Sequence, residues 1–555
     1  MTDPQILPLA ASSAQTPPPR QVDTLIIGTG LAGLVTALEL LDRGQRVCVV
    51  ERGGPAHVGG LAMHAFGGMA LVDTPLQRRA GIRDSVELAL SDWLSFAEFG
   101  ANDLWPRRWA EHYVSRCVPE VYEWLRGMGL RFVPAVQWVE RGLFKPGNSL
   151  PRYHLLWGTS RHMTLTVIQA LCMHPQRSRL HLALGHRVTE LRRRDGAVVG
   201  CEGVLESNGE GFAFEAPQVV IAAGGITGDL ARVRQHWPSE WGGSEAAPAL
   251  LLNGSHPYSD GAMHDAVGRV GGQVTHLDQM WNYAAGVRHP NPQFEGHGLS
   301  LIPAKTALWM DPRGERIGPV PFITAFDTRE LVAQISRSRW PYTWQILNRR
   351  IAERELAASG AEHNPLIRDR RWLAFALQML RGNRALVDEL LQRCPDVVQA
   401  PTLPELAARM NALAGNDWVQ PDTLARHIHP YDAQMRRGKR FHNDDQLRRI
   451  AQLRQWTGDR LRTCNFQPID DPDAGPLIAI RCQILTRKST GGIQTDLHSR
   501  VLGDNGAPVS GLYATGEAAG FGGGGSNGRG SLEGTFLSSC ILTARAAARH
   551  IGGGA

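Results

Sequence analysis

A chain of 555 residues can bury a large core and form two domains. Its 43% hydrophobic and 20% charged residues are the proportions of a globular enzyme, and a formal charge of +6 without a dense Lys/Arg run gives no nucleic-acid signal. Its eight cysteines include no CxxC pair, which argues against a disulfide framework, a zinc site or an iron–sulfur cluster, and no metal ligand is assigned.

The leader, residues 1–21, is rich in Pro, Ser and Ala and lacks the charged start and apolar core of a signal peptide, so it reads as a disordered tail. No run approaches the roughly 18 apolar residues of a membrane span, and a cytoplasmic protein is expected.

Val22 to Glu51 reads as a nucleotide-binding βαβ unit. An apolar strand runs into Gly28-x-Gly30-x-x-Gly33, a helical pattern through Leu34, Val35, Leu38 and Leu41 stops at Gly44, and a second strand ends at Glu51. Gly28 allows the tight turn, Gly30 lets backbone approach a pyrophosphate, and Gly33 lets helix and strand pack closely. The helix start offers unpaired N–H groups to phosphate, and Glu51 can accept hydrogen bonds from a ribose.

Next comes a small-residue loop, Val58 to Gly68, then a helical region over 84–130. Four short strand-like runs over 186–223 form a β-meander ending at Gly224-Gly225. Residues 329–462 are largely helical and Arg-rich. Strand character returns at Leu477-Ile-Ala-Ile and at Gly511-Leu-Tyr-Ala-Thr-Gly516-Glu517, and a Gly-rich stretch leads into a last helix from Leu532 to His550. The simplest account is an α/β protein with a Rossmann-like domain (parallel sheet plus β-meander) made of residues 22–275 and 476–555, and an α+β substrate or cap domain, 276–475, inserted between them.

The βαβ unit, the Gly59-Gly60…Gly67-Gly68 loop, Val219-Ile-Ala-Ala-Gly-Gly225, Ser259-Asp-Gly261, Gly491-Gly492-Ile-Gln-Thr-Asp496 and Gly511 to Glu517 together resemble the FAD-dependent fumarate reductase/3-ketosteroid dehydrogenase superfamily, in particular its ketosteroid-dehydrogenase-like group. The resemblance covers nearly the whole chain from residue 22. It implies FAD contacts from Gly28, Gly30, Leu31, Ala32 and Gly33, from Glu51 and Arg52, and from Gly59, Gly60, Leu61, Ala62, Gly67 and Gly68. Val188, Ala223, Gly224, Gly225 and Asp260 join them, with Gly516 and Glu517 at the ribityl chain and Leu532 and Gly534 at the start of the last helix. Covalent members carry a His just after the Gly-Gly pair, where this chain has Leu61, so non-covalent FAD is expected. No second nucleotide fingerprint serves NAD(P)H, which leaves oxygen, a quinone or a carrier protein as electron partner.

Relatives add or remove hydrogen across a C–C bond beside a carbonyl, using an Arg or Tyr eight residues after the Arg of a Gly-x-Arg turn. Here Gly314-Glu-Arg316 leads to Thr324, a weak acid, with Asp327 and Thr328 close by. Arg529 stands where ketosteroid dehydrogenases hold the substrate carbonyl with Tyr, and it is the leading substrate-contact candidate. Tyr283, Asp327 and His154 are further catalytic candidates, and Arg487 and Lys488 could bind an anionic group. The expected activity is dehydrogenation of a ketosteroid-like ketone. The alternatives are fumarate-reductase-like reduction of an unsaturated acid, an NADPH- and oxygen-using hydroxylase, or a non-catalytic flavin-binding redox sensor.

Overall fold

A computed structural model describes residues 22–553; the expected N-terminal tail lies outside the described residues. Strands Thr24–Ile27, Val47–Glu51, Leu180–Leu184, Gln218–Ile221 and Pro508–Ala514 form a parallel sheet, and Arg500–Leu502 closes one edge antiparallel. Thr24 pairs with Val47 on one side and with Gln218 on the other, and Leu512 pairs with Val219, so both ends of the chain meet in one sheet. The period-two alternation of these strands builds two cores. Ile26, Val47, Val49 and Val220 face a helical layer in which Leu31–Asp42 packs on the last helix, Thr535–Ile551. Leu25, Ile27, Cys48, Val50, Val219 and Ile221 face the meander His186–Arg194, Ala197–Leu205 and Gly211–Glu215. The fourth run expected in that meander, Gln218–Ile221, instead joins the parallel sheet, where its apolar residues are covered on both faces.

A second, eight-stranded sheet is organised around one long strand, Leu477–Ser489. Its first half lies between Thr343–Asn348 and Val397–Ala400, and its second half between Met280–Arg288 and Leu251–Asn253. Two of these strands, Leu251–Asn253 and Leu477–Ser489, fall in the segments that the sequence groups with the nucleotide domain. They hydrogen-bond into the second sheet, and their sequences do not show it, since an apolar strand buried on both faces reads the same in either sheet. Thr343–Asn348, inside the expected helical stretch, is a fully buried strand of this sheet. All eight cysteines are free, and Cys48 and Cys482 are buried, with thiols pushed up in pKa by desolvation. Among the described residues no helix is long and apolar enough to cross a membrane.

The two sheets meet at strand ends. The backbone N–H of Ser489, at the end of the long strand, donates to Glu517 Oε1 (2.9 Å), just beyond the parallel strand Pro508–Ala514. Crevices beyond the carboxyl ends of parallel strands are where this architecture places ligands.

Candidate active site

A cavity of ≈ 950 Å³ opens at this junction, lined on one side by the βαβ turn and on the other by the second sheet. On the first side the backbone dictates the residue types. Gly28 has φ +108, and a Cβ there would sit 2.4 Å from the carbonyl oxygen of Ala222. A Cβ at Gly33 would sit 2.1 Å from the carbonyl oxygen of Gly28, so the helix can lie this close to the strand only as glycine. Gly30 differs: its φ is an ordinary −62, and the nearest atom to an added Cβ is 3.9 Å away. Nothing in the protein itself demands glycine there, and the demand falls on whatever lies against that backbone. This open cradle fits a bound pyrophosphate.

Gly30, Leu31, Ala32, Glu51, Arg52, Gly60, Leu61, Ala62, Gly67, Gly68, Val188, Ala223, Gly224, Gly225, Asp260 and Glu517 line the cavity together with Gly28. The Glu51 carboxylate accepts from the N–H and hydroxyl of Thr29 (2.9 and 2.7 Å) and from the N–H of Gly53 (2.8 Å), which fixes it at the strand end. Arg52 bridges Glu206 and Asp260, both at 2.7 Å. Burial pushes Glu517 up to about 7. Gly33, Gly59, Gly516, Leu532 and Gly534 stand behind this wall. Gly516 has φ +64 and its N–H donates to Thr543 (2.9 Å), Leu532 is buried in the helical core, and Gly534 caps the last helix in the left-handed region.

Tyr283, Lys488 and Arg487 from the second sheet also line the cavity, as do Glu533, Tyr153, Thr324 and Glu140 from other segments. Glu533 Oε2 accepts from the hydroxyl of Tyr283 (2.8 Å) and from Trp281 Nε1 (2.7 Å). Burial, reinforced by the charge of Glu533, holds the Tyr283 phenol well above the usual tyrosine range. Lys488 Nζ lies 4.1 Å from the Phe536 ring, and burial brings it down to about 8 against the pull of Glu533. The Tyr153 hydroxyl has no hydrogen-bond partner among the described residues. Its ring occupies the space a Cβ at Gly68 would need, 1.8 Å from Tyr153 Cζ, and closes on Gly534 as well. Thr324, at the position where relatives carry an acid, lines the same cavity with its hydroxyl buried and unpaired. Glu140, pushed up to about 8 by burial, accepts from the N–H and hydroxyl of Thr328 (3.0 and 2.5 Å).

Three of the four catalytic candidates lie elsewhere. Arg529 does not line the cavity; it is 54% exposed and pairs with Glu240 at 3.2 Å, because the loop turns its side chain outward. Asp327 caps the helix Thr328–Arg337 by accepting from the N–H of Glu330 (2.9 Å). His154 is fully buried: Nδ1 donates to the carbonyl of Arg152 (2.6 Å) and Nε2 meets the Thr74 hydroxyl (2.7 Å), with the ring pushed down to about 4 by burial. Tyr153, its neighbour on the strand Tyr153–Leu155, points the other way, into the cavity. Strand alternation allows only one of two adjacent residues to face the site, and here that residue is the tyrosine. Glu533 is not legible as a site residue in the sequence; its only signal is an acid just ahead of the last helix.

His427 and His429 diverge, to Glu315 and to Asp470. A different trio, His289, Glu362 and His363, brings ligand atoms within 4.8 Å of one another. However, the N–H of Asn291 donates to His289 Nδ1 (3.0 Å), which leaves the ring proton on Nε2, the atom that a metal would need bare.

Residues 23–537 match the FAD binding domain family. A KsdD-like steroid dehydrogenase of Mycobacterium tuberculosis is 41% identical over 550 residues, covering 95% of each chain. Among solved structures, 3-ketosteroid delta1-dehydrogenase from Sterolibacterium denitrificans superposes with a TM-score of 0.68 at 17% identity, covering 96% of this chain and 100% of that one. An open-form flavocytochrome c3 fumarate reductase superposes with a TM-score of 0.65 at 18% identity, covering 98% and 80%. At these identities the two superpositions speak to the fold.

Proposed function

The chain belongs to the FAD-binding domain family of flavoprotein oxidoreductases and is an FAD-dependent dehydrogenase, and from that premise we propose that it dehydrogenates a steroid-like ketone at the carbons beside its carbonyl. The observation that carries this reading is the hydrogen-bonded Tyr283–Glu533 pair in the lining of the cavity. FAD, when bound, supplies the two-electron acceptor that takes the hydride from one of the two carbons. The protein must then take a proton from the neighbouring carbon. Tyr283 is placed to do so, because its oxygen can receive the carbon-bound proton as its own proton passes to Glu533. The relay needs no free tyrosinate, which its raised pKa would make scarce. The unpaired Tyr153 hydroxyl is the donor we assign to the substrate carbonyl, and Lys488 balances the charge of Glu533. Thr324 adds a polar contact rather than an acid.

Gly30 and the wall around Leu61 and Glu517 are the proposed FAD contacts, non-covalent because Leu61 stands where covalent members carry a His. Acid precipitation is expected to release all the flavin; yellow protein in the pellet would overturn that. Oxygen, a quinone or a carrier protein returns the flavin to its oxidised state, and the cytoplasm is the expected compartment. A second reading, reduction of an unsaturated acid, draws on Arg487 and Lys488, both of which line the cavity.

The test is an anaerobic titration of the FAD-loaded protein with saturated ketones, 3-ketosteroids among them, following oxidised-flavin absorbance. Bleaching by a ketone supports dehydrogenation and names the class. Flavin that no ketone bleaches, but that unsaturated acids re-oxidise after chemical reduction, selects the second reading.

A further inference from the structure

The helix Trp372–Arg381 has no buried residue, although its sequence, WLAFALQMLR, contains one polar residue before its terminal arginine. At about 100° per residue, Leu373, Ala376, Leu377 and Leu380 fall within one arc, with Trp372 at its edge. Leu373 is 86% exposed and Leu380 68%, and Trp372 and Leu377 are exposed as well. Phe375, Gln378 and Met379 occupy the opposite arc and line the cavity, joined there by Trp372 and by the exposed Leu461. A helix that is apolar all round belongs in an interior, and this one is covered on one side only.

The flanks indicate what covers the other side. Arg370, Arg371, Arg381 and Arg384 are exposed and bracket the helix, and no acid lies within it. Arg370 contacts His162, Arg384 contacts Glu353 and Arg371 lies in the field of Asp369, while Arg381 has no side-chain partner among the described residues. Arg460 is exposed beside Leu461, on a helix that touches this one. An apolar ridge with Trp at its margin and arginines at both ends matches a bilayer interface: leucines enter the acyl boundary, the indole sits at headgroup level, and guanidinium groups reach lipid phosphates.

We propose that the Trp372–Arg381 helix docks the protein on an anionic lipid surface, so that the cavity mouth opens toward the bilayer. A lipophilic substrate would then pass from membrane to cavity along Trp372, Phe375 and Leu461 without crossing water. That last step rests on the ketone reading above; the docking itself does not, so vesicle binding and turnover fail independently.

The test is flotation of the FAD-loaded full chain with vesicles of phosphatidylcholine alone and of phosphatidylcholine with phosphatidylglycerol. The expected result is recovery with the phosphatidylglycerol vesicles only, reversed by high salt. Combining Leu373→Glu, Leu377→Glu and Leu380→Glu is expected to cut recovery roughly tenfold or more while flavin content stays at the wild-type level. Arg371→Glu with Arg381→Glu, which leaves the apolar ridge in place, is expected to cost about tenfold or more. Protein that stays in the aqueous fraction with both vesicle types overturns the proposal, as does equal recovery with neutral vesicles. So does a wild-type dimer that the leucine variants convert to monomer, which would assign the ridge to a second copy of the chain.

Discussion

The two walls of the cavity are built by different means. The cradle wall is backbone: Gly28 and Gly33 are glycine because carbonyl oxygens lie 2.4 and 2.1 Å from where a Cβ would be, and Gly30 because a ligand must approach. The rest of the lining is side chain: Tyr153, Tyr283, Lys488 and Glu533 come from four separate stretches and meet only in the folded molecule. A backbone wall tolerates almost no substitution yet leaves a contiguous signature. A side-chain wall can be altered residue by residue, which is how one fold serves different substrates.

The largest effect that would break this contrast lies in the cradle. Gly33→Ala sets a methyl against backbone and is expected to destabilise the protein by roughly 3 kcal/mol or more, read as loss of soluble protein or a fall in the melting midpoint. Gly30→Val meets no backbone at its Cβ, so the apoprotein is expected to melt within about 1 kcal/mol of wild type while failing to retain FAD. If the Gly30 variant loses stability as Gly33 does, or keeps its flavin, the division between fold-imposed and ligand-imposed glycines fails.

On the other wall, Glu533→Gln and Tyr283→Phe are each expected to lower turnover by about 10²–10⁴-fold with flavin content unchanged. Because both act in one relay, the double variant should lose little more than either single one. Fully additive losses in steady-state kinetics would separate the two residues.

The same contrast explains how much could be read from the sequence. The glycine turn and the Glu51 strand end are local and legible from spacing, the Glu517 turn from the family resemblance, and Gly28, Gly30, Glu51 and Glu517 all line the cavity. Of the parallel strands, Thr24–Ile27, Val47–Glu51 and Pro508–Ala514 are legible for the same reason, whereas Leu180–Leu184 is not and Gln218–Ile221 reads as part of the meander. Thr343–Asn348 is hidden within a helical stretch, and Leu477–Ser489 gives no sign of which sheet it joins. Tyr153 and His154 are adjacent, and sequence gives the strand but not its phase. Arg529 is a substrate-contact candidate by resemblance, but a loop position does not fix a side chain's direction. Glu533 was invisible as a partner of Tyr283 because 250 residues separate them.

His154 supplies a smaller, pH-dependent test. Its folded pKa, about 4, lies below the ordinary 6.5, so between these values the unfolded chain binds a proton that the native ring refuses. The contribution of His154 to stability therefore rises with pH across this window and is lost as pH falls from about 6.5 toward 4, by about 1.4 kcal/mol per pH unit for one such proton. His154→Gln cannot titrate and should reduce the pH slope of the urea-derived unfolding free energy by that amount, leaving the part due to other groups, among them His256, His264 and His289, which burial also holds near 4. An unchanged slope would mean the ring is charged in the native state, and with it the assignment of His154 as a neutral support between Thr74 and Arg152 would fall.

The smallest expected effect is at Arg529, and it is the sharpest test of the division between local and assembled features. An exposed arginine paired with a partly exposed glutamate contributes about 0–1 kcal/mol to stability, and Arg529 touches no part of the cavity. Arg529→Ala should therefore leave kcat and KM within about twofold of wild type, whereas removing an arginine that held a substrate carbonyl would cost far more. Tyr153→Phe provides the counterpart: loss of the hydroxyl proposed to hold that carbonyl should lower kcat/KM by roughly tenfold or more with FAD retained. If the arginine variant is the crippled one and the tyrosine variant is not, the loop must reorganise when substrate binds, and sequence position will have been a better guide to the contact than side-chain direction.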